Sequence, residues 1–337
     1  VYLLVNKVDE DKHEALADEF AALGFATVFC ISAAHNRGVN PLAKAVSDAL
    51  PEPEEASAAA PDREPIKIAL VGRPNVGKSS LVNALLEDER TIVSDVAGTT
   101  RDAVDVPFEH GGLDYVFIDT AGLRARNKQD SSVEIFSGMR SKAGIRRADL
   151  CALVIDASQG ATSQDRKIAG LIADAGKPCV VLVNKFDLYH PDAPRSERLA
   201  ALQEEIAEGL FFLPYAPVVV ASAKTGESVS RLFFAVEQVR KSAWQGLGTG
   251  ALNRLLQEAL AAKPPPGGKG GKRFKLLYAT MAQVSDARRP IPVADFILFC
   301  NKASLLPQSY LRYLEHRIRA ECPYTGIPVR FVFRERT

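Results

Sequence analysis

The chain has 337 residues, 47% of them hydrophobic and 25% charged, with a formal net charge of +1. That length leaves room for two or three domains, and the balance is that of a globular protein with a core to bury. No stretch approaches the roughly 20 uninterrupted apolar residues of a membrane span, which excludes membrane transport. Five scattered cysteines with no C-x-x-C pair exclude a disulfide framework and point to free thiols in a reducing cytoplasm. The charge is unevenly spread, with fourteen Lys/Arg against five Asp/Glu from Lys263 onward, so the rest of the chain is acidic. Such a split suits a C-terminal module that faces a polyanion, and from charge alone it suits a solvated basic face equally well.

In chain order, VYLLVNKVD (1–9) and FCISAAHNRGV (29–39) each read as an apolar strand ending in a polar signature. Residues 51–65, rich in Pro, Ala and Glu, have the composition of a linker. From 66 the pattern alternates. IKIALVG (66–72) is a strand and KSSLVNALL (78–86) a helix. DYVFIDT (114–120), DLCALVIDA (149–157), PCVVLVNK (178–185) and APVVVASA (216–223) are further β-branched strands. DRKIAGLIADAG (165–176) and RLFFAVEQVR (231–240) are helices between and after them. Strand–helix alternation predicts an α/β fold, a mostly parallel sheet with helices on both faces. A second seam, KPPPGGKGGKR (263–273), precedes FKLLYATMAQ (274–283), ADFILFCNK (294–302) and PVRFVFRER (328–336), read as strands. SYLRYLEHRIRAE (309–321) reads as a helix with Leu311, Leu314 and Ile318 inward and Arg312, Glu315 and Arg319 outward.

The start of the chain repeats part of the middle. VYLLVNKVD matches VVLVNKFD (180–187), and FCISAAHNRGV matches VVASAKTGESV (219–229). Two signatures in one order predict a duplicated domain. Its first copy begins at the penultimate strand, which leaves a truncated sequence, the reading we favour, or a degenerate first domain as the two expectations.

Gly72 to Ser79 spells G-x-x-x-x-G-K-[ST] between a strand and a helix, the setting of a phosphate loop. Glycine lets the backbone curl, so the N–H groups of Asn75, Val76, Gly77, Lys78, Ser79 and Ser80 face the phosphates at the helix N-terminus. Lys78 reaches the β/γ oxygens and Ser79 offers a hydroxyl to Mg²⁺. Asp119-Thr120-Ala121-Gly122 ends the next strand. Asp119 is the metal-side acid, acting through water, and the Gly122 N–H is placed for the γ-phosphate. Asn184-Lys185-Phe186-Asp187 selects the base, because a carboxylate accepts two hydrogen bonds only from an edge with two adjacent donors, as guanine has. Asn184 braces the loop, Lys185 lies along the base, and Ser222-Ala223-Lys224 supplies a backbone N–H to the guanine carbonyl.

With these motifs and AGTTRD (97–102), the chain resembles the Era-like GTPases. Tandem Asn-Lys-x-Asp signatures followed by a small basic domain are similar to the Der (EngA) family of double-GTPase ribosome-assembly factors. The resemblance implies residues 1–50 as the tail of one GTPase domain, 51–65 as linker, 66–250 as a complete P-loop GTPase domain, and 251–337 as an α+β KH-like domain. It implies GTP/GDP and Mg²⁺ as cofactors and K⁺ stimulation, with Asn75 on K⁺ and Thr100 (Thr99 in the other register) closing on Mg²⁺. Lys78, Thr100 and Gly122 are then the catalytic group. Leu123 stands where Ras-like proteins carry a water-orienting Gln, which predicts slow intrinsic hydrolysis that a partner raises. The implied partners are the large ribosomal subunit and its RNA. A cytoplasmic monomer is expected, with no DNA or membrane partner. Two other readings stay open: an RNA-binding scaffold with a structural guanine nucleotide, and an Era-like GTPase of tRNA modification. The five histidines share no metal spacing.

Overall fold

The computed structural model describes the chain except residues 1, 11, 13–19, 21–22, 26, 36, 50–63, 88–90, 94–104, 119–141, 268–272, 283–289, 294 and 336–337. It divides into two compact units, Val1–Asp62 and Arg63–Thr337.

The first unit holds a parallel pair, β1 (Leu3–Val5) and β2 (Val28–Cys30), with Leu3 opposite Val28, and helix α1 (Val39–Ala49). The second unit is built on a seven-stranded sheet. Its strands are β3 (Ile66–Val71), β4 (Thr91–Val93), β5 (Val106–His110), β6 (Leu113–Ile118), β7 (Leu150–Asp156), β8 (Cys179–Asn184) and β9 (Val218–Val220), in the order β4-β5-β6-β3-β7-β8-β9. The strands β6, β3, β7, β8 and β9 run parallel, and β4 and β5 complete the sheet as an antiparallel edge. Every residue of β7 and of β8 is buried. That is why their sequences read as unbroken apolar runs: a central parallel strand is covered on both faces and has no polar side to alternate with.

Helices α2 (Lys78–Leu86), α3 (Ser163–Asp174), α4 (Arg195–Gly209) and α5 (Arg231–Ala243) cover the two faces, giving two separate apolar clusters. Ile68, Leu81, Leu85, Phe117, Leu182 and Val236 belong to one, and Leu153, Ile155, Ile172, Val183 and Leu202 to the other. The helix 195–209 has no counterpart in the sequence reading, and β9 is shorter than the apolar run 216–223 suggests. Ala221 N still donates to Val183 O at 2.8 Å, and only at Ser222 does the chain turn away, its N–H donating to Glu227 O at 3.0 Å rather than to a strand.

The C-terminal module consists of α6 (Thr249–Ala262), β10 (Leu276–Ala282), β11 (Asp295–Cys300), α7 (Gln308–Glu321) and β12 (Arg330–Glu335). Its sheet runs β10-β11-β12, antiparallel then parallel. Asn253 ties α6 to β10 like a short strand, donating to Ala279 O at 2.7 Å and accepting from Ala279 N at 2.8 Å. The module shares the first apolar cluster with the large sheet. Its loop residue Gly326 donates to Tyr215 O at 2.6 Å and accepts from Cys179 N at 2.9 Å. The contact is therefore at the end of the sheet where β8 begins. One expected outward residue is inward: Arg319 has a side chain only 13% exposed, bonds Pro323 O, Tyr324 O and Ile327 O, and lies 5.2 Å from the Tyr215 ring centre. Helical periodicity assigned it to solvent, but the adjoining loop supplies the carbonyls that satisfy a buried guanidinium.

Candidate guanine-nucleotide site

The site lies beyond the carboxyl ends of β3 and β8, where ligands bind in open α/β sheets. Gly72 follows β3 so close to β7 that a Cβ there would meet Val154 O at 2.4 Å, and only glycine fits. The loop turns through Asn75 at φ 65° and Gly77 at φ 95° into α2. A Cβ on Gly77 would meet Asn184 Nδ2 at 2.3 Å. The first N–H groups of α2 have no partner within the helix, which makes its start an anion seat. Lys78 Nζ folds back onto Gly72 O and Arg73 O, each at 2.8 Å. An ammonium among loop carbonyls is already at the place a phosphate chain would pass.

Asn184 joins the two halves of the site. Its Nδ2 donates to Val76 O at 2.9 Å, and its Oδ1 accepts from Ala223 N at 2.9 Å. One buried amide thus fixes the phosphate loop, the end of β8 and the 222–224 turn to one another. Lys185 adopts φ 64°, and its Nζ pairs with Asp156 at 2.6 Å. Burial raises the Asp156 pKa, but the Lys185 and Ser158 hydrogen bonds outweigh it and hold the carboxyl below its ordinary value. Asp187 accepts from Ser222 Oγ at 2.6 Å through Oδ1. Arg198, from α4, stacks 4.3 Å from the Phe186 ring centre and donates to Phe186 O and Tyr189 O, closing the turn that carries Asp187.

The structure brings together Asn75, Val76, Gly77, Lys78, Ser79 and Ser80 at one end, and Asn184, Lys185, Asp187, Ser222, Ala223 and Lys224 at the other. Thr100, Asp119 and Gly122 lie outside the described residues, as do Thr99 and Leu123. Ser79 is half-buried at the start of α2. A lone hydroxyl there suits Mg²⁺, which keeps several waters and takes phosphate oxygens as further ligands. Asn75 is exposed at the loop apex, a neutral oxygen donor of the kind a monovalent cation accepts. Sequence reasoning missed Arg73, Asp156, Gln159, Asp165 and Arg198. A signal existed for Asp165, which with Thr162 spells a T-x-x-D capping box.

The first unit repeats the base-side geometry. Asn6 Oδ1 accepts from Ala33 N at 3.1 Å, Ser32 Oγ donates to Asp9 Oδ1 at 2.6 Å, and Lys7 has φ 71°. The backbone follows as well. Val8 N donates to Ile31 O at 3.0 Å, as Phe186 N does to Ala221 O at 3.2 Å. His35 N reaches Ser32 Oγ at 3.3 Å, as Thr225 N reaches Ser222 Oγ at 3.3 Å.

Residues 67–185 match the family described as 50S ribosome-binding GTPase, and residues 247–334 match the KH-domain-like C-terminal domain of EngA bacterial GTPase enzymes. The chain is 50% identical over 346 residues to the GTPase Der of Akkermansia muciniphila, covering all of this chain and 74% of that one. The chain belongs to the GTPase Der family. It therefore binds GTP and hydrolyses it to GDP and phosphate, on a P-loop GTPase domain joined to a KH-like domain. The GTPase Der of Desulforudis audaxviator is 43% identical over 336 residues, covering all of this chain and 73% of the relative. Among solved structures, Era in complex with MgGDPNP and nucleotides of 16S ribosomal RNA has TM-score 0.40 and 22% identity, covering 80% of this chain and 92% of that chain.

Proposed function

We propose that this family member is a nucleotide-controlled switch in assembly of the large ribosomal subunit, with its C-terminal module on ribosomal RNA. The observation that carries the reading is the Asn184 amide, which ties a phosphate loop to a guanine-reading turn in one rigid site. Asp187 reads guanine. The α2 N-terminus, Lys78 and the loop amides take the phosphates, stabilising charge that grows toward the β/γ bridge. Bound Mg²⁺, held by Ser79 with Thr100 and Asp119, would neutralise phosphate charge, and K⁺ at Asn75 would add to that. Gly122 takes the γ-phosphate. The domain limits 1–50, 66–250 and 251–337 belong to the same reading. Support for the ribosome comes from the family description and from the basic composition of the C-terminal module. The cytoplasm is the compartment that fits a ribosomal partner, and among the described residues no helix is long and apolar enough to cross a membrane.

The test measures GTP hydrolysis in K⁺ and in Na⁺, with and without large subunits. Hydrolysis is expected to be slow alone, faster in K⁺, and faster again with subunits. Equal rates in both salts remove the K⁺ role, and no retention on large subunits at any ionic strength removes the ribosomal one.

A further inference from the structure

We infer that Arg73 is a positioning residue that pins the phosphate loop to the start of α3 through Asp165 and Gln159, an inference that rests on the loop holding nucleotide phosphates. Arg73 Nε donates to Asp165 Oδ2 at 3.2 Å, and Nη1 donates to Gln159 Oε1 at 2.8 Å. Asp165 is fully buried and already fixed by the α3 cap, where its Oδ2 accepts from Thr162 N at 3.0 Å and Thr162 Oγ1 at 2.6 Å. The acceptor is thus set by the cap, 92 residues along the chain from the loop it receives.

The geometry separates two sides of one residue. The Arg73 carbonyl faces Lys78 Nζ at 2.8 Å, on the nucleotide side, while its guanidinium points away to α3. With Gly72 pressed against Val154 O, the first two loop residues are pinned to β7 and to α3. The loop's phosphate-facing amides then keep their curl without a ligand. A stabilising role alone fits poorly, because among the described residues Arg73 Nη2 and Asp165 Oδ1 are both buried without a hydrogen-bond partner. A desolvated ion pair that leaves a donor and an acceptor unmatched is a poor source of stability, and it suits fixing a position better.

The experiment titrates GDP into the full chain as parent, Arg73→Ala, Asp165→Asn and the double variant, with Lys78→Ala as control. Each single change is expected to weaken GDP about tenfold, the scale of one charge-assisted hydrogen bond, and the double no more than either. Turnover should show KM raised by the same factor with kcat nearly unchanged. Arg73→Lys, which cannot span both acceptors, restores part of the affinity. If Asp165→Asn does not fold, Gln159→Ala replaces it, expected to weaken GDP about threefold. The inference fails if Arg73→Ala binds GDP as the parent does, whatever its melting temperature, or if the two changes add. It fails equally if Asp165→Asn tightens binding, which would make the freed guanidinium a direct phosphate ligand. A parent that binds no GDP, or a Lys78→Ala variant that binds it normally, would instead overturn the nucleotide site itself.

Discussion

Asp187 is held in a fixed rotamer because Ser222 Oγ occupies one lobe of its Oδ1 at 2.6 Å and Arg198 closes the turn beneath it. A carboxylate so fixed presents its remaining lone pairs in one direction, which is what reading two adjacent N–H donors requires. Asp187→Asn replaces one acceptor oxygen with a donor. GTP affinity should fall by about 1–3 kcal/mol, roughly five- to 150-fold, the usual worth of a bidentate base contact. Competition between GTP and ATP reads it out, with the margin in favour of GTP shrinking by that factor. Asn184 shows how one side chain does more than its motif suggests. Its two amide atoms reach 108 residues back and 39 forward. Any side chain that cannot both donate and accept there releases either the phosphate loop or the 222–224 turn.

At the scale of elements, the central strands set a chemical limit on the fold. Cys151 on β7 lies opposite Cys179 on β8, both fully buried. Burial pushes the Cys151 thiol up to about 12 and the Cys179 thiol well above its ordinary value, and burial also raises the Tyr215 hydroxyl. A raised folded pKa means stability is fully present below the unfolded value near 8.5 and is lost as pH rises toward the folded one. Each thiol should contribute a slope of about 1.4 kcal/mol per pH unit above about pH 9, and the Tyr215 hydroxyl only above about pH 10. Urea unfolding of the parent and of Cys151→Ala between pH 8 and 11 checks this. The variant is expected to be less stable at pH 8 but to lose stability less steeply by one proton's worth. Parallel slopes would mean that this thiol ionises without unfolding the sheet.

At the scale of the molecule, the KH-like module and the candidate site lie at opposite ends of one strand. β8 starts at Cys179, which bonds Gly326, and ends at Asn184, roughly 17 Å further on at 3.3 Å per residue. Gly326 has φ 73°, and a Cβ there would meet Val239 Cγ2 at 2.1 Å. Gly326→Val should cost about 2–5 kcal/mol, from the left-handed backbone and overpacking together. Calorimetry should then show the module melting ahead of the GTPase sheet, with GDP affinity within twofold of the parent. A single unshifted transition would mean that the docking tolerates the side chain.

The sequence alone determined the chemistry that sits in contiguous residues. The phosphate loop needs its glycines where the backbone turns, the helix 78–86 follows directly from it, and central parallel strands must be apolar up to the carboxyl ends where Asp156 and Asn184 stand. The paired Asn-Lys-x-Asp and Ser-Ala signatures foretold the same hydrogen bonds in both units, because a short motif carries its own geometry. The tertiary structure alone decided which distant groups complete these pieces. The sequence reading assigned Arg73 no role and read Arg319 as a solvent-facing helix residue. Each is enclosed by partners on another element, and periodicity sees only the residue's own helix or loop. The antiparallel edge β4-β5 was likewise invisible, since a three- or five-residue strand declares itself only through the neighbour it pairs with. Local conformation is written in adjacent side chains. A buried polar group is satisfied only when the fold brings its acceptor within about 3 Å.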